Sequence, residues 1–237
     1  MKECLGVLIS GSGTTMAAIL RAYNMGELNL DIGCVISSNP NAEGIKKARI
    51  AGIDPKNIVC LNPKLPQFPE ELLKNLQKRN VTVVTQNGWM PKTPEMVIEA
   101  YKDRIFNQHP GPAPEFGGKG MFGIRVHLAV LLFRRLTGRD LWTEVIAQRV
   151  DKEFDQGVIV RRKRVDILPT DTAEDLQQRC LPFEHQVQIE LLKHVVGHFL
   201  WEYPKHAQTP LFKNQKEKKL LEFCKKAAIK AYPNARD

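Results

Sequence analysis

The amino-acid sequence predicts an α/β fold built on a doubly wound, mostly parallel sheet, and three observations lead there. Between residues 4 and 106, five short apolar runs alternate with segments of helical periodicity, which reads as parallel strands joined by crossover helices. The first run breaks into Gly11-Ser12-Gly13-Thr14-Thr15, a strand, turn and helix in sequence. The fifth ends on Asn107-Gln108-His109-Pro110. Open α/β sheets bind ligands at the carboxyl ends of their strands, and both segments fall at such ends.

Along the chain, residues 4–9 (CLGVLI) form the first strand and residues 15–23 the first helix. Residues 30–37 are a second strand, closed by Asn39-Pro40-Asn41, and residues 42–51 a second helix. Residues 57–61 supply a short third strand. Residues 69–79 are amphipathic, with Leu72, Leu73 and Leu76 on one face, and residues 81–85 follow as a buried strand. Residues 94–101 add a helix before the Ile105-Phe106 strand. A stretch dense in Gly and Pro runs to Phe122, and a helix follows over residues 124–136. Residues 141–150 and 158–167 read as two strands joined by the loop that holds Asp155. In the long helical pattern of residues 173–201, Pro182 predicts a kink or a restart. Residues 213–232 carry seven lysines against two glutamates and form an amphipathic helix with Leu220, Leu221, Phe223 and Ile229 as its apolar residues. The expected division is a main domain over residues 1–203 and a basic helical extension over residues 204–237, its apolar residues packed on the main domain or on a second subunit.

Asn107 and His109 lie two apart, so in a strand both side chains share one face. An imidazole, which titrates near ~6.5 when unperturbed, and an amide able to donate to a developing oxyanion suit acyl transfer to an amine. Asp155 adds a carboxylate, and no candidate nucleophile accompanies the three. His109 and Asp155 are expected to face solvent at strand ends rather than the core. The turn formed by Gly11, Ser12, Gly13, Thr14 and Thr15 has the first two glycines of a dinucleotide fingerprint, but Met16 stands in place of the third small residue and no P-loop lysine is present. A nest of backbone N–H groups at a helix N-terminus, supplemented by the Thr14 and Thr15 hydroxyls, suits a single phosphate group instead.

Composition sets the outer limits. With 237 residues, 43% hydrophobic and 26% charged, the chain reads as a soluble globular protein. Neither an apolar run near ~20 residues nor a signal peptide is visible, so a cytoplasmic location is expected. Cys4, Cys34, Cys60, Cys180 and Cys224 are scattered without zinc spacing, and are expected to be reduced, with no metal bound. A formal charge of +9 favours anionic partners. The Lys-rich extension raises a basic nucleic-acid-binding module as an alternative, disfavoured by its few aromatic residues and the absence of an RNA-binding motif.

As a set, LISGSGTTMAAIL near the start, NGWM at 87–90, FNQHPGPAP and FGGKGMFG at 106–123, VDKEFDQG at 150–157 and FEH at 183–185 resemble the folate-dependent formyltransferases, over residues 2–201. The resemblance implies the Rossmann-like formyltransferase fold with a C-terminal helical extension. It further implies transfer of a formyl group from the co-substrate 10-formyltetrahydrofolate to the amine of glycinamide ribonucleotide in purine synthesis. A sugar nucleotide or methionyl-tRNA is the alternative acceptor within the family, although methionyl-tRNA enzymes carry a larger C-terminal domain. By the same match, Asn107 holds the formyl oxygen, while His109 and Asp155 stabilise charge and relay protons. Gly11, Ser12, Gly13, Thr14 and Thr15 hold the substrate phosphate, and Glu184 binds the glycinamide or ribose end of that substrate. Trp89, Met90, Val97, Asp151 and Glu153 line the folate pocket. The implied partners are these two small molecules, with no membrane, and a monomer or homodimer. The sequence departs from the family pattern at Thr15, usually Asn; at Gly111-Pro112-Ala113-Pro114, usually Ser-Leu-Leu-Pro; at Gln148, usually His; and at Pro91, usually basic or polar.

Overall fold

A computed structural model describes residues 2–203 and 211–235. Seven strands lie in one sheet: β1 (Glu3–Ile9), β2 (Leu30–Ser37), β3 (Ile58–Cys60), β4 (Val83–Gln86), β5 (Ile105–His109), β6 (Trp142–Arg149) and β7 (Ile159–Asp166). The helices are α1 (Thr14–Asn24), α2 (Glu43–Ile50), α3 (Phe68–Lys78), α4 (Glu95–Ala100), α5 (Ile124–Thr137), α6 (Ala173–Val196) and α7 (Gln215–Ala231). The strand order is β3-β2-β1-β4-β5-β6-β7. Pairings from β3 through β5 are parallel, and those of β5 with β6 and β6 with β7 are antiparallel. The loop between β6 and β7 is too short for a crossover, which leaves a hairpin-like return as the available geometry.

Helices cover both faces, which is why β1 buries five residues in succession instead of alternating. On one face α1, α5, α6 and α7 pack around Met16, Ile19, Phe133, Leu176 and Leu191. On the other, Leu72, Leu76, Val97 and Tyr101 of α3 and the α4 region meet Leu8, Ile36 and Val84. Leu72 and Leu76 are one helical turn apart and fully buried, and each such side chain contributes roughly 1.5–3 kcal/mol.

The sequence order reverses between β1 and β4, and the crevice over that switch point is where a doubly wound sheet takes its ligand. The register aligns one row across its rim: Leu8 opposite Gln86, Gln86 opposite Asn107, and Asn107 opposite Gln148.

Two sequence expectations change, one in α6 and one in α7. α6 runs unbroken past Pro182 and stops at Val196 rather than near Trp201. Its start is fixed by a capping box, in which the Thr172 hydroxyl accepts from the Asp175 N–H while the Asp175 carboxylate accepts from the Thr172 N–H. Gly197 and then His198, at φ 54°, end it. α7 packs on α5, but its buried face is Leu221, Cys224 and Ala228. Leu220 and Ile229 are partly buried, whereas Phe223 is 62% exposed, because it lies off the stripe that spacings of three and four residues create. The cysteines are all free, with Cys60 exposed and Cys34, Cys180 and Cys224 buried. The expected tract 204–210 at the start of the extension lies outside the described residues.

Candidate active site

A cavity of about 1210 Å³ opens over the switch point. Gly11 to Thr15 line one side and Asn107, His109 and Asp155 another, with Trp89, Met90, Asp151, Glu153 and Glu184 also in its wall. Val97 is fully buried in the core behind the wall and does not line the cavity, because it sits on the inner face of α4.

The Asp155 carboxylate gathers the centre. Its Oδ1 accepts from Asn107 Nδ2 at 3.2 Å and from Gln148 Nε2 at 2.9 Å, and its Oδ2 accepts from the Gly118 N–H at 3.0 Å. His109 Nδ1 lies 3.5 Å from Oδ1. Asp155 sits at φ 55°, a left-handed conformation that short polar residues tolerate. Contrary to the expectation of solvent-facing side chains, His109 and Asp155 have side-chain exposures of only 3% and 8%. The loop 110–123 folds over them, with the Gly118 N–H on the carboxylate itself. With Nδ1 turned to Asp155, the buried Nε2 of His109 makes no protein hydrogen bond. Asn107 spends one amide hydrogen on Asp155 and retains a second.

The glycine turn leads into the N-terminus of α1 at the cavity edge. Gly13 caps α1 at φ 64°, and a Cβ there would lie 2.7 Å from the Gly44 Cα, so both conformation and close approach require glycine. α1 has no acidic residue in its first turn and no side-chain cap, which leaves its N-terminal N–H groups directed at the cavity end of the helix. Lys47 Nζ donates to the Ser12 carbonyl at 2.7 Å and adds positive charge behind the turn. Ser10 Oγ, 2.6 Å from Ser38 Oγ, accepts from the Met90 N–H at 2.9 Å, which ties the ends of β1, β2 and β4 together.

Across the cavity, Glu184 of α6 accepts from Gln108 Nε2, and Asn87 Nδ2 donates to Gln108 Oε1 at 3.4 Å. Trp89 stacks on Phe68 with ring centroids 6.2 Å apart, and its buried Nε1 has no protein partner. Asp151 and Glu153 sit on the exposed β6–β7 loop, where Glu153 pairs with Lys92 at 3.6 Å. Trp89 Nε1, Asn87 Oδ1, His109 Nε2 and Gln148 Oε1 are thus buried polar atoms of the cavity wall without protein partners. Buried polar groups are ordinarily satisfied, so this set fits a ligand with both donors and acceptors. Among the described residues, no group of three or more His, Cys, Asp or Glu side chains is placed to hold a metal ion.

Two site residues carried no role in the sequence reading. Gln148 becomes a partner of Asp155 because the β5–β6 register sets it opposite Asn107, and antiparallel register between distant segments leaves no local signal. His127 of α5 is fully buried in the cavity wall, and neither ring nitrogen has a protein partner. Burial, then the nearby His109, pushes its pKa down to about 3. Its helical spacing looked like that of any core position.

Fold and site together define a doubly wound α/β protein with an amide–imidazole–carboxylate centre beside a glycine turn at a helix N-terminus. A family model described as "Formyl transferase" matches residues 5–192, and the chain belongs to that family. It is 33% identical over 198 residues to a chloroplastic phosphoribosylglycinamide formyltransferase of Vigna unguiculata, covering 81% of this chain and 60% of that one. A phosphoribosylglycinamide formyltransferase of Dictyostelium discoideum is 29% identical over 203 residues, covering 79% of this chain and 95% of the relative. The chain spans 60% and 64% of the length of the Vigna and Arabidopsis relatives. Among solved structures, glycinamide ribonucleotide transformylase 1 from Symbiobacterium toebii superposes with a TM-score of 0.72 at 29% identity, covering 83% of this chain and 89% of that one.

Proposed function

We propose that the chain transfers a formyl group from 10-formyltetrahydrofolate to the amine of glycinamide ribonucleotide, a step of purine biosynthesis. The observation that carries this reading is the Asp155 carboxylate, which draws Asn107, Gln148 and His109 to one point in a cavity whose other side is a phosphate-type turn. The acceptor follows the names of the relatives. A reaction in the cytoplasm is part of the proposal. No helix among the described residues is long and apolar enough to cross a membrane.

The donor, when bound, supplies an electrophilic formyl carbon on a nitrogen that can leave. Asn107 directs its remaining amide hydrogen at the oxygen that gains charge as the acceptor amine adds. His109 presents Nε2 to the same centre for proton movement, and Asp155 orients the ring through Nδ1. The Gly11 to Thr15 turn holds the acceptor's phosphate and so fixes where its amine lies. Trp89 and Met90, with Asp151 and Glu153 at the mouth, take the folate, and Glu184 takes the acceptor's glycinamide or ribose end. The test offers the purified protein 10-formyltetrahydrofolate with glycinamide ribonucleotide, a sugar nucleotide bearing a free amine, or methionyl-tRNA. Consumption of formyl folate with the first alone supports the reading; turnover with another acceptor, or RNA binding at moderate salt without folate binding, overturns it.

A further inference from the structure

We propose that Arg125 and helix α7 form a clamp that sets the cavity wall over residues 118–123, so that the C-terminal extension positions the reacting groups from outside the family match. Arg125 is 7% exposed and spends its guanidinium on three backbone carbonyls. Nη1 donates to Gly120 O at 3.0 Å, Nε to Tyr232 O at 2.9 Å and Nη2 to Pro233 O at 2.9 Å. The Tyr232 and Pro233 carbonyls follow the last turn of α7, where the helix dipole favours a cation. The guanidinium also lies 4.4 Å from the centre of the Phe122 ring. Ile229 of α7 also lies near the same loop, since its Cδ1 is 3.4 Å from where a Cβ at Gly120 would stand. Tyr232 Oη donates to Glu174 at 2.7 Å and anchors the end of the extension on α6.

The loop needs such a hold. Residues 117–123 contain four glycines, and glycine loses more conformational freedom on ordering than any other residue. The same loop donates the Gly118 N–H to Asp155 Oδ2 at 3.0 Å. The route from the extension to the proton-handling carboxylate therefore has few links: Tyr232 and Pro233 to Arg125, Arg125 to Gly120, and Gly118 to Asp155. Arg125 touches no reacting atom and is a positioning residue. Two of its three partners lie beyond residue 192, where the family match ends, so this feature belongs to this chain's own extension. The kinetic side of the proposal rests on the formyl transfer proposed above, while the structural side stands without it.

The test compares full-length Arg125→Met, Arg125→Lys and Ile229→Ala with Leu221→Ala. Leu221 is buried on the same helix eight residues from Ile229, about 12 Å along its axis. Backbone hydrogen exchange over residues 117–123 and steady-state kinetics are read well below each melting temperature. Arg125→Met is expected to speed exchange and to lower kcat by about tenfold, with little change in the KM of the phosphorylated acceptor, whose turn lies elsewhere. Arg125→Lys should recover part of both effects, and Ile229→Ala should show a milder form of each. Leu221→Ala should melt earlier but keep wild-type exchange in the loop and wild-type kcat. If Arg125→Met does not fold, Ile229→Ala decides. Loop exchange and kcat in the clamp variants equal to those of Leu221→Ala would overturn the proposal. Wild-type protein inactive on glycinamide ribonucleotide would sink the functional reading alone, because the exchange comparison still decides the clamp.

Discussion

Gln148 and Asn107 face each other across the antiparallel β5–β6 ladder, and both aim a side-chain amide at one oxygen, Oδ1 of Asp155, at 2.9 and 3.2 Å. The carboxylate is thereby held from two strands at once. Gln148 is 1% exposed, its amide donates to Asp155, and its carbonyl oxygen has no protein partner. Replacing Gln148 with Leu keeps bulk and removes this donor. Turnover should fall by about tenfold or more, as expected when a reacting group is misplaced, with a smaller rise in KM from loss of the Gln148 carbonyl as a ligand acceptor. A large rise in either KM with normal kcat would assign Gln148 to substrate binding instead.

Asp155→Asn and His109→Ala should each lower turnover by roughly 10²- to 10⁴-fold, the range of general acid–base and oxyanion contributions. Asparagine accepts the left-handed backbone at position 155, so Asp155→Asn adds no backbone strain, although its NH2 must replace one oxygen that now accepts from Gly118 or from Asn107 and Gln148. His109 is 3% exposed, so His109→Ala should also lower the melting temperature through the void it leaves. Near-normal turnover in the folded Asp155→Asn protein contradicts the assignment.

Gly13→Val should raise the KM of the phosphorylated acceptor more than that of the folate. The added Cβ must both adopt φ 64° and displace Gly44, whose Cα lies 2.7 Å away. That distorts the start of α1, where the phosphate is proposed to sit, and should cost stability as well. Equal effects on both substrates would make the turn structural only.

His127 gives the fold a pH dependence of known sign. Its pKa is pushed down to about 3 in the folded protein, against ~6.5 in an unfolded chain. Above that unfolded value both states hold it neutral. As pH falls from about 6.5 toward 3, the unfolded chain takes up a proton that the fold refuses, so this contribution to stability is lost through that window. His127→Phe, which replaces two unpartnered ring nitrogens with carbon, should flatten the change in unfolding free energy between pH 7 and pH 4.5 measured in denaturant. An unchanged slope would mean that His127 is not held neutral.

The parts of the molecule legible in the sequence were those encoded locally. β2 falls on residues 30–37 as expected, and the Gly11 to Thr15 turn and the Asn107–His109 pair were visible because turn chemistry and strand alternation are short-range properties. Glu184, read only through resemblance, does line the cavity, whereas Val97 does not. What escaped depends on register and packing between distant segments. Nothing near Gln148 indicates that β6 sets it beside Asp155, nothing near Arg125 indicates that its acceptors are Tyr232 and Pro233, and Phe223 counts as apolar in a helix whose packed stripe passes it by.

The most direct test follows the formyl carbon itself. 10-Formyltetrahydrofolate labelled with ¹³C at the formyl group is mixed with glycinamide ribonucleotide and excess enzyme, and the label is followed by NMR in wild-type and Asp155→Asn proteins. The account predicts that the label moves to the glycinamide amine within the mixing time for the wild type and stays on the folate, or moves at least about 10²-fold more slowly, in the variant. Label that leaves the folate as free formate, or reaches the amine equally fast in both proteins, contradicts it.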